Sequence, residues 1–378
     1  MWAKGFNENN VITKIFIVAP RPTEYNIQNS EDFVTFALAP STKTTNISRL
    51  AYFGQRIIGV FRLYKFLKKD NDLSFIIIAW PNILIGTLLL YYCKRNKVKF
   101  FFDKGDENAR LIDKKNITLL DYLAKQNQRL FNKYIIPRVN VLFVVSSYLE
   151  KKYNKLYPAL KTRKCLPTSI DYDEFLLNQK TDLSDIEQKD LGILKSEKIK
   201  VFYAGSCERT NGLFFFLEIA AQLLIYEKYF FEIVFILTDG DHAEIKKHCF
   251  KLGISDHVKF LNPVLPKFMP AIYTKVDILI LPEQGTVIAN AGFPGKTGEY
   301  LASGKAILST IFSDLTDHLK HEYNSMLAQI GDREKYCSNF RRLISDEKLR
   351  VNLGINGIKT AKEDFDYKKG VMRYINEL

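Results

Sequence analysis

Cysteine is scarce in this sequence and is not placed for a metal site or a disulfide framework. The five cysteines lie far apart and form no CxxC pair or His/Cys cluster; they are Cys93, Cys165, Cys207, Cys249 and Cys337. This spacing argues against zinc and against the cross-linked scaffolds of small secreted proteins. No basic-then-apolar leader opens the chain. We therefore expect a protein of the reducing cytoplasm.

Two motifs that mark other protein classes are also missing. No G-x-G-x-x-G follows any strand-like run, which argues against a Rossmann dehydrogenase. No recognised DNA- or RNA-binding motif accompanies the basic residues, so we do not expect nucleic acid as a partner.

One charge-free run, residues 75–93, has 19 residues and is long enough in principle to span a bilayer. Trp80-Pro81-Asn82 divides it. The part before this tripeptide is typical of a buried parallel strand, and the part after it is typical of a helix with Pro81 near its start. We predict a strand followed by a helix here rather than a membrane span.

Positive charge is concentrated in the first part of the chain. Residues 1–170 hold 28 Lys/Arg against 12 Asp/Glu, a net of +16, whereas the remainder holds 27 against 30, a net of −3. This asymmetry indicates an anionic membrane surface or a phosphorylated acceptor as partner. Residues 62–69, 130–138 and 151–164 mix cations with aromatic and leucine side chains, as stretches that lie on anionic bilayers do. The alternatives are a lysine-rich proteome and ordinary helices packed on a sheet.

Short apolar runs alternate with helical patterns, which is typical of parallel α/β sheets. The predicted strands are residues 15–20, 74–80, 98–103 and 139–145, then 199–205, 231–240, 257–263, 276–283 and 305–310. Residues 171–198 are polar and acidic, so we predict a linker or hinge there, between a basic domain over 1–170 and a second domain over 199–365. Residues 366–378 are predicted to form a C-terminal helix that could cross back to the first domain.

The first residues, MWAKGFNENNV, read as the end of a helix rather than as a first strand. Either the fold begins unusually, or about 20–30 residues forming a strand, a loop and a helix would precede it. We favour the second, and the missing loop would then face the cleft.

The most informative stretch is LPEQGTVIANAGFPGKTGEYLASGKAILST, residues 281–310. We predict a strand that ends at Glu283, a loop, a short helix that opens near Gly295, and Gly304 closing that helix. Helix N–H groups together with Lys296 suit a diphosphate, and Glu299 could accept hydrogen bonds from ribose hydroxyls. The alternative is a glycine-rich turn with a surface glutamate.

The segment GFPGKTGEYLASGKAI resembles the donor site of retaining glycosyltransferases with the GT-B fold, the glycosyl transferases group 1 or family 4-like enzymes. The likeness extends to VNVLFVVSSYLEKKY, CLPTSIDYDEF, VFYAGSCERTNG and FILTDGD. It implies two Rossmann-like domains whose parallel sheets face a cleft, with the acceptor on the 1–170 side and the nucleotide sugar in 199–365. The residues that it assigns to donor binding are Gly205, Gly212, Asp239, Gly240, Pro294, Gly295, Thr297 and Glu299.

The sequence departs from the family pattern at several positions. Ala291 stands where the first glutamate of the Glu-x7-Glu pair is expected, and Ser206 and Asn211 stand where cations are common. Arg209 and Lys296 are therefore the predicted phosphate contacts, although Arg209 could also be a solvated loop residue.

A residue of the N-terminal domain often faces the sugar in this family, and it is often a histidine. All five histidines lie beyond residue 241, so Asp106 or Glu107 is the predicted substitute; the alternative is a plain polar loop. Two cations and helix N–H groups can stabilise a leaving diphosphate without a metal. Asp239-Gly240-Asp241 fits better as a turn than as a metal site. We predict neither metal nor cofactor.

The resemblance implies a retaining, metal-independent hexosyltransferase. It would move a sugar from a UDP- or GDP-linked donor to a glycan or polyprenyl-linked acceptor in bacterial surface polysaccharide synthesis, in the cytoplasm or on the inner face of the plasma membrane. The alternatives are a non-catalytic or truncated GT-B nucleotide-binding module and a GT-B nucleotide-sugar epimerase.

Overall fold

The computed structural model describes residues 8, 15–19, 33–37, 60–61, 63–65, 67–68, 73, 75–79, 81–105, 119–165, 169–186, 188–206, 212–238, 242–285 and 287–378. By its internal contacts the chain divides into two compact units. The N-terminal unit comprises Met1–Val145, Leu149–Cys165 and Gly370–Leu378, and the C-terminal unit comprises Ser146–Tyr148 and Leu166–Lys369.

The N-terminal unit contains two parallel sheets. Strands β1 (Ile15–Ala19) and β2 (Phe33–Ala37) pair with each other. The second sheet has the order β3-β4-β5-β6, with bounds Phe75–Ile78, Lys99–Lys104, Val141–Val144 and Thr162–Lys164. Phe101 and Phe143 are fully buried in its core and contact each other edge to face. Continuous apolar runs of this kind form strands that are covered on both faces.

The charge-free run of residues 75–93 folds as a strand and a helix, as predicted. Strand β3 is followed by helix α1 (Ile83–Asn96), and the Asn82 side chain caps the helix by accepting hydrogen bonds from the Leu84 and Ile85 N–H groups. Pro81 therefore precedes the cap instead of occupying the first helical turn. Among the described residues, no helix is both long enough and apolar enough to cross a membrane.

Two further helices follow in this part of the chain, α2 (Leu119–Tyr134) and α3 (Ser147–Leu156). Helix α2 packs on α1 where the Asn127 side chain accepts from the Ile83 N–H and donates to the Pro81 carbonyl. Gly86 permits this approach, since a Cβ there would lie 2.7 Å from the Phe131 ring.

The C-terminal unit is built on a six-stranded parallel sheet with the order β12-β11-β10-β7-β8-β9. The strands β7 to β12 are, in chain order, Ile199–Gly205, Phe231–Leu237, Val258–Leu261, Ile278–Leu281, Ala306–Ile311 and Met326–Gln329. Hydrophobic cores cover both faces of this sheet.

The helices of the remaining chain are short, except for two near the C-terminus. Helices α4 to α13 are Tyr172–Asn178, Gln188–Leu194, Leu213–Ala221, His242–Lys251, Met269–Thr274, Val287–Ala291, Thr297–Ala302, Arg333–Ser345, Glu347–Asp364 and Tyr367–Ile375. Helices α4 and α5 lie in the segment predicted as a linker, and Phe175, Ile186 and Leu194 of that segment are buried in the C-terminal unit. A hinge motion there stays a prediction.

The end of α13 belongs to the N-terminal unit. The Tyr374 ring lies 4.3 Å from the Phe143 ring, and its hydroxyl donates to Asp103 Oδ2 at 3.2 Å. Burial raises the pKa of Asp103 to about 6. Glu377 forms ion pairs with Lys161 and Arg163. These contacts fasten the C-terminal residues to the sheet of that unit.

Candidate functional site

The carboxyl ends of β7 and β10 form the topological switch point of the six-stranded sheet. From β7 the chain continues outward through β8 and β9, and β10 then returns to the other side of β7. Loops that leave two neighbouring strands in opposite directions open a crevice between them, where open α/β sheets bind ligands. The loops after Gly205 and after Leu281 are the two that leave this point.

Two glycines allow these loops to approach closely. Gly205 ends β7 with φ +149°, and a Cβ there would lie 2.6 Å from the Lys296 Nζ. Gly212 precedes α6 with φ +70°, and a Cβ there would lie 1.4 Å from the Pro282 carbonyl oxygen. Both backbone conformations favour glycine. Main chain leaves no space for a side chain at Gly212, whereas the atom nearest to Gly205 is the end of the flexible Lys296 side chain.

Lys296 brings a positive charge to the end of β7. Its Nζ lies beside Gly205 and 5.8 Å from the centroid of the Tyr203 ring. The loop before it is held by Thr297, whose buried hydroxyl and N–H both donate to the Pro294 carbonyl, at 2.8 and 3.0 Å. Gly295 is exposed between them. The predicted residues Gly205 and Lys296 are thus brought together, and Thr297 serves the loop itself.

Glu299 is half-buried in the first turn of α10. The Tyr273 hydroxyl donates to Glu299 Oε2 at 2.8 Å. Tyr273 is itself buried, and it packs edge to face on Phe202 and Tyr300. Burial and the neighbouring carboxylate raise the pKa of Tyr273 well above its usual value, so the phenol remains a donor. This contact fixes one carboxylate oxygen of Glu299.

Glu283 is a further carboxyl group at this edge, and from the sequence it was predicted only as the end of a strand. It follows β10 by two residues, and its carbonyl accepts a hydrogen bond from the Thr310 hydroxyl at 2.7 Å. Burial raises the pKa of its side chain to about 7, although the Gln284 N–H opposes the shift. The sequence does contain a feature that indicates this group: Glu283 is a carboxylate that directly follows a buried strand and Pro282.

Several predicted residues cannot be placed. Asp106, Glu107, Arg209, Asp239 and Gly240 lie outside the described residues, so their roles stay predictions. Ala291, where the family pattern has a glutamate, is completely buried. Within the described part of the chain, no group of three His, Cys, Asp or Glu side chains could hold a metal ion.

Known proteins resemble this chain over the region that contains the candidate site. Residues 185–360 match the family model described as "Glycosyl transferases group 1". The D-inositol 3-phosphate glycosyltransferase of Corynebacterium urealyticum is 23% identical over 240 residues, which are 61% of this chain and 54% of the relative. The match thus spans little more than half the length of that relative.

Solved structures share the fold at low identity. Sucrose-phosphate synthase from Thermosynechococcus elongatus superposes with a TM-score of 0.72 at 15% identity, over 99% of this chain and 90% of that one. Anabaena HepE in complex with UDP-glucose gives a TM-score of 0.66 at 12% identity, over 96% and 98%. The resemblance and the GT-B fold predicted from the sequence are confirmed.

Proposed function

Because residues 185–360 match the family model of the glycosyl transferases group 1, we propose that this chain transfers a sugar from a nucleotide-diphosphate donor held in its C-terminal unit. One observation carries the proposal: the Lys296 amine lies beside Gly205 at the switch point, and Glu299, on the short helix that begins directly after Lys296, is oriented by Tyr273. A cation next to a glycine-lined loop suits a diphosphate, and an oriented carboxylate suits ribose hydroxyls.

The chemistry that these groups can supply is stabilisation of the leaving diphosphate. Negative charge develops on it as the bond to the sugar breaks, and a fixed ammonium group stabilises that charge more in the transition state than in the ground state. We propose that Lys296, with Arg209 as a second cation, provides this charge without a metal or cofactor. Retention of the anomeric configuration and a hexosyl donor are part of the same proposal.

For the nucleotide of the donor we propose UDP, because the fold neighbour HepE is described in complex with UDP-glucose; GDP is the alternative. For the acceptor we propose a glycan or a polyprenyl-linked saccharide of bacterial surface polysaccharide synthesis, bound at the basic 1–170 side. The positive charge of that part of the chain, +16, suits a phosphorylated lipid carrier at the inner face of the plasma membrane.

The test is calorimetric binding of UDP, GDP, ADP and dTDP to the whole chain. We expect UDP to bind, and Lys296→Ala and Glu299→Gln each to weaken binding roughly 10-fold or more, as expected for loss of a charged hydrogen bond. Lys348→Ala and Glu347→Gln, which change exposed residues of α12, are the matched controls and should bind normally.

Absence of binding by all four diphosphates, in a chain whose circular dichroism shows it folded, would rule out the donor site. Release of UDP from UDP-sugars in the presence of acceptor tests transfer itself. UDP binding without any transfer would favour the non-catalytic nucleotide-binding module.

A further inference from the structure

The outward side of helix α1 is apolar, although it faces solvent. Leu84 is 43% exposed and Tyr91 is 52% exposed, and Leu88 between them is half-buried. These positions are four and three residues apart, so they form one line along the helix. The opposite side of α1 is buried through Ile85, Leu89 and Cys93 in the N-terminal unit. Packing in the core therefore does not explain why the outward line of residues is apolar.

Residues 60–68 continue this surface. Leu63 and Leu67 are buried, and the Tyr92 hydroxyl donates to the Leu67 carbonyl at 2.9 Å, which attaches the segment to α1. The Tyr64 and Tyr91 rings then lie 6.5 Å apart. Phe61, three residues before Tyr64 in the chain, is 64% exposed. We call the exposed side of α1 and of the described residues between 60 and 68 (60–61, 63–65 and 67–68) the basic–aromatic face.

This face also carries exposed cations, two of which contact its tyrosine rings. Lys65, Lys68, Lys94 and Arg95 are exposed. Lys68 Nζ lies 5.1 Å from the Tyr64 ring centroid, and Arg95 donates to the Tyr91 hydroxyl at 3.1 Å. Helix α1 contains no aspartate or glutamate, and neither do residues 60–68. The face therefore combines one sign of charge with exposed rings and a leucine.

We propose that the basic–aromatic face binds the surface of a membrane that contains anionic phospholipids. Lysine and arginine near such a surface are attracted to its negative potential, while aromatic and leucine side chains enter the boundary between head groups and acyl chains. Nucleic acid would satisfy the cations but would not cover Leu84 and Phe61. A second copy of the chain would bring like charges together. The inference rests on this surface and does not depend on the proposed donor site.

The test is co-sedimentation of the whole chain with vesicles of phosphatidylcholine alone or mixed with phosphatidylglycerol. We expect binding to the mixed vesicles only, weakened by added salt because salt screens exposed charges. The double variant Lys65→Gln/Lys68→Gln should bind roughly 30-fold more weakly, on the basis of the usual contribution of each cation near an anionic surface.

The matched control is Lys359→Gln/Lys362→Gln on α12. It removes two exposed lysines with the same spacing, one of which likewise lies over a tyrosine ring. It should bind vesicles like the unchanged protein. Phe61→Ser should weaken the part of the binding that persists at high salt, because that part depends on apolar insertion.

Equal loss of binding in the two lysine pairs would overturn the assignment to this face, and so would a lack of binding to the mixed vesicles. Binding to duplex RNA but not to vesicles would overturn the proposal that this face binds a membrane and would favour nucleic acid as its partner. UDP calorimetry on the same variants should be unchanged. A failure of this inference is therefore distinguishable from a failure of the proposed donor site.

Discussion

The ionisation of Glu283 couples the stability of the C-terminal unit to pH. Its pKa is raised to about 7 from the ordinary 4.5 by burial. The folded state therefore keeps a proton that the unfolded chain releases near pH 4.5. This favourable contribution is complete below about pH 4.5 and is lost as pH rises through about 7. Glu283→Gln removes the titration and keeps the shape of the side chain.

As pH rises from about 5 to about 8, the free energy of unfolding of the unchanged protein should fall because Glu283 loses its proton. We expect this fall to be smaller in Glu283→Gln, by on the order of 2 kcal/mol. Urea unfolding at both pH values measures it, with Glu347→Gln as an exposed control that should follow the unchanged protein. Parallel pH profiles for Glu283→Gln and the unchanged protein would show that this carboxyl does not titrate differently in the folded state.

At the scale of elements, the sequence predicted the central strands better than the edge strands. Strands β7, β8 and β10 lie within predicted strands because they are buried on both faces and are continuously apolar. Strands β6 and β12, which were not predicted, lie at sheet edges. An edge strand pairs on one side only and need not be apolar, as Thr162-Arg163-Lys164 shows.

The part of the candidate site that is formed by residues close together in the sequence could be predicted. The loop and helix around Lys296 and Glu299 follow from a short segment with a family pattern. The contact between Tyr273 and Glu299 spans 26 residues and depends on how α8 packs against α10, which no local pattern encodes. The raised pKa of Glu283 likewise depends on burial by distant residues.

Gly212, where α6 begins close to the end of β10, should tolerate substitution less well than Gly192. A Cβ at Gly212 would meet the Pro282 carbonyl, and φ there is +70°. We expect Gly212→Ala to destabilise the protein by at least about 2 kcal/mol, because both backbone strain and a clash with main chain oppose it. Gly192 lies within α5 with nothing near its Cβ position.

Gly192→Ala is the matched control and should stabilise the protein by about 0.5–1 kcal/mol, since alanine favours the helix. Denaturant unfolding of the two variants measures the difference. A Gly212→Ala protein as stable as Gly192→Ala would contradict the close approach of α6 to the end of β10.

At the scale of the whole molecule, the division into two units predicts where a donor nucleotide acts on stability. Every candidate-site residue that the structure places lies in the C-terminal unit. A ligand that binds only the folded form stabilises it by about 2.7 kcal/mol at 100 times its Kd. Amides that exchange through unfolding of that unit should therefore exchange roughly 100-fold more slowly with UDP present.

Hydrogen exchange measured by mass spectrometry should show this slowing in β7, β10 and α10, and much less in β4 and β5 of the N-terminal unit. Lys296→Ala at the same UDP concentration should reduce the slowing, because less of the protein is bound. Equal slowing in β4 and β5 would mean that the two units unfold as one cooperative body. No slowing in β7 and β10 would remove the nucleotide from the switch point of the C-terminal sheet, and with it the role proposed for Lys296 and Glu299.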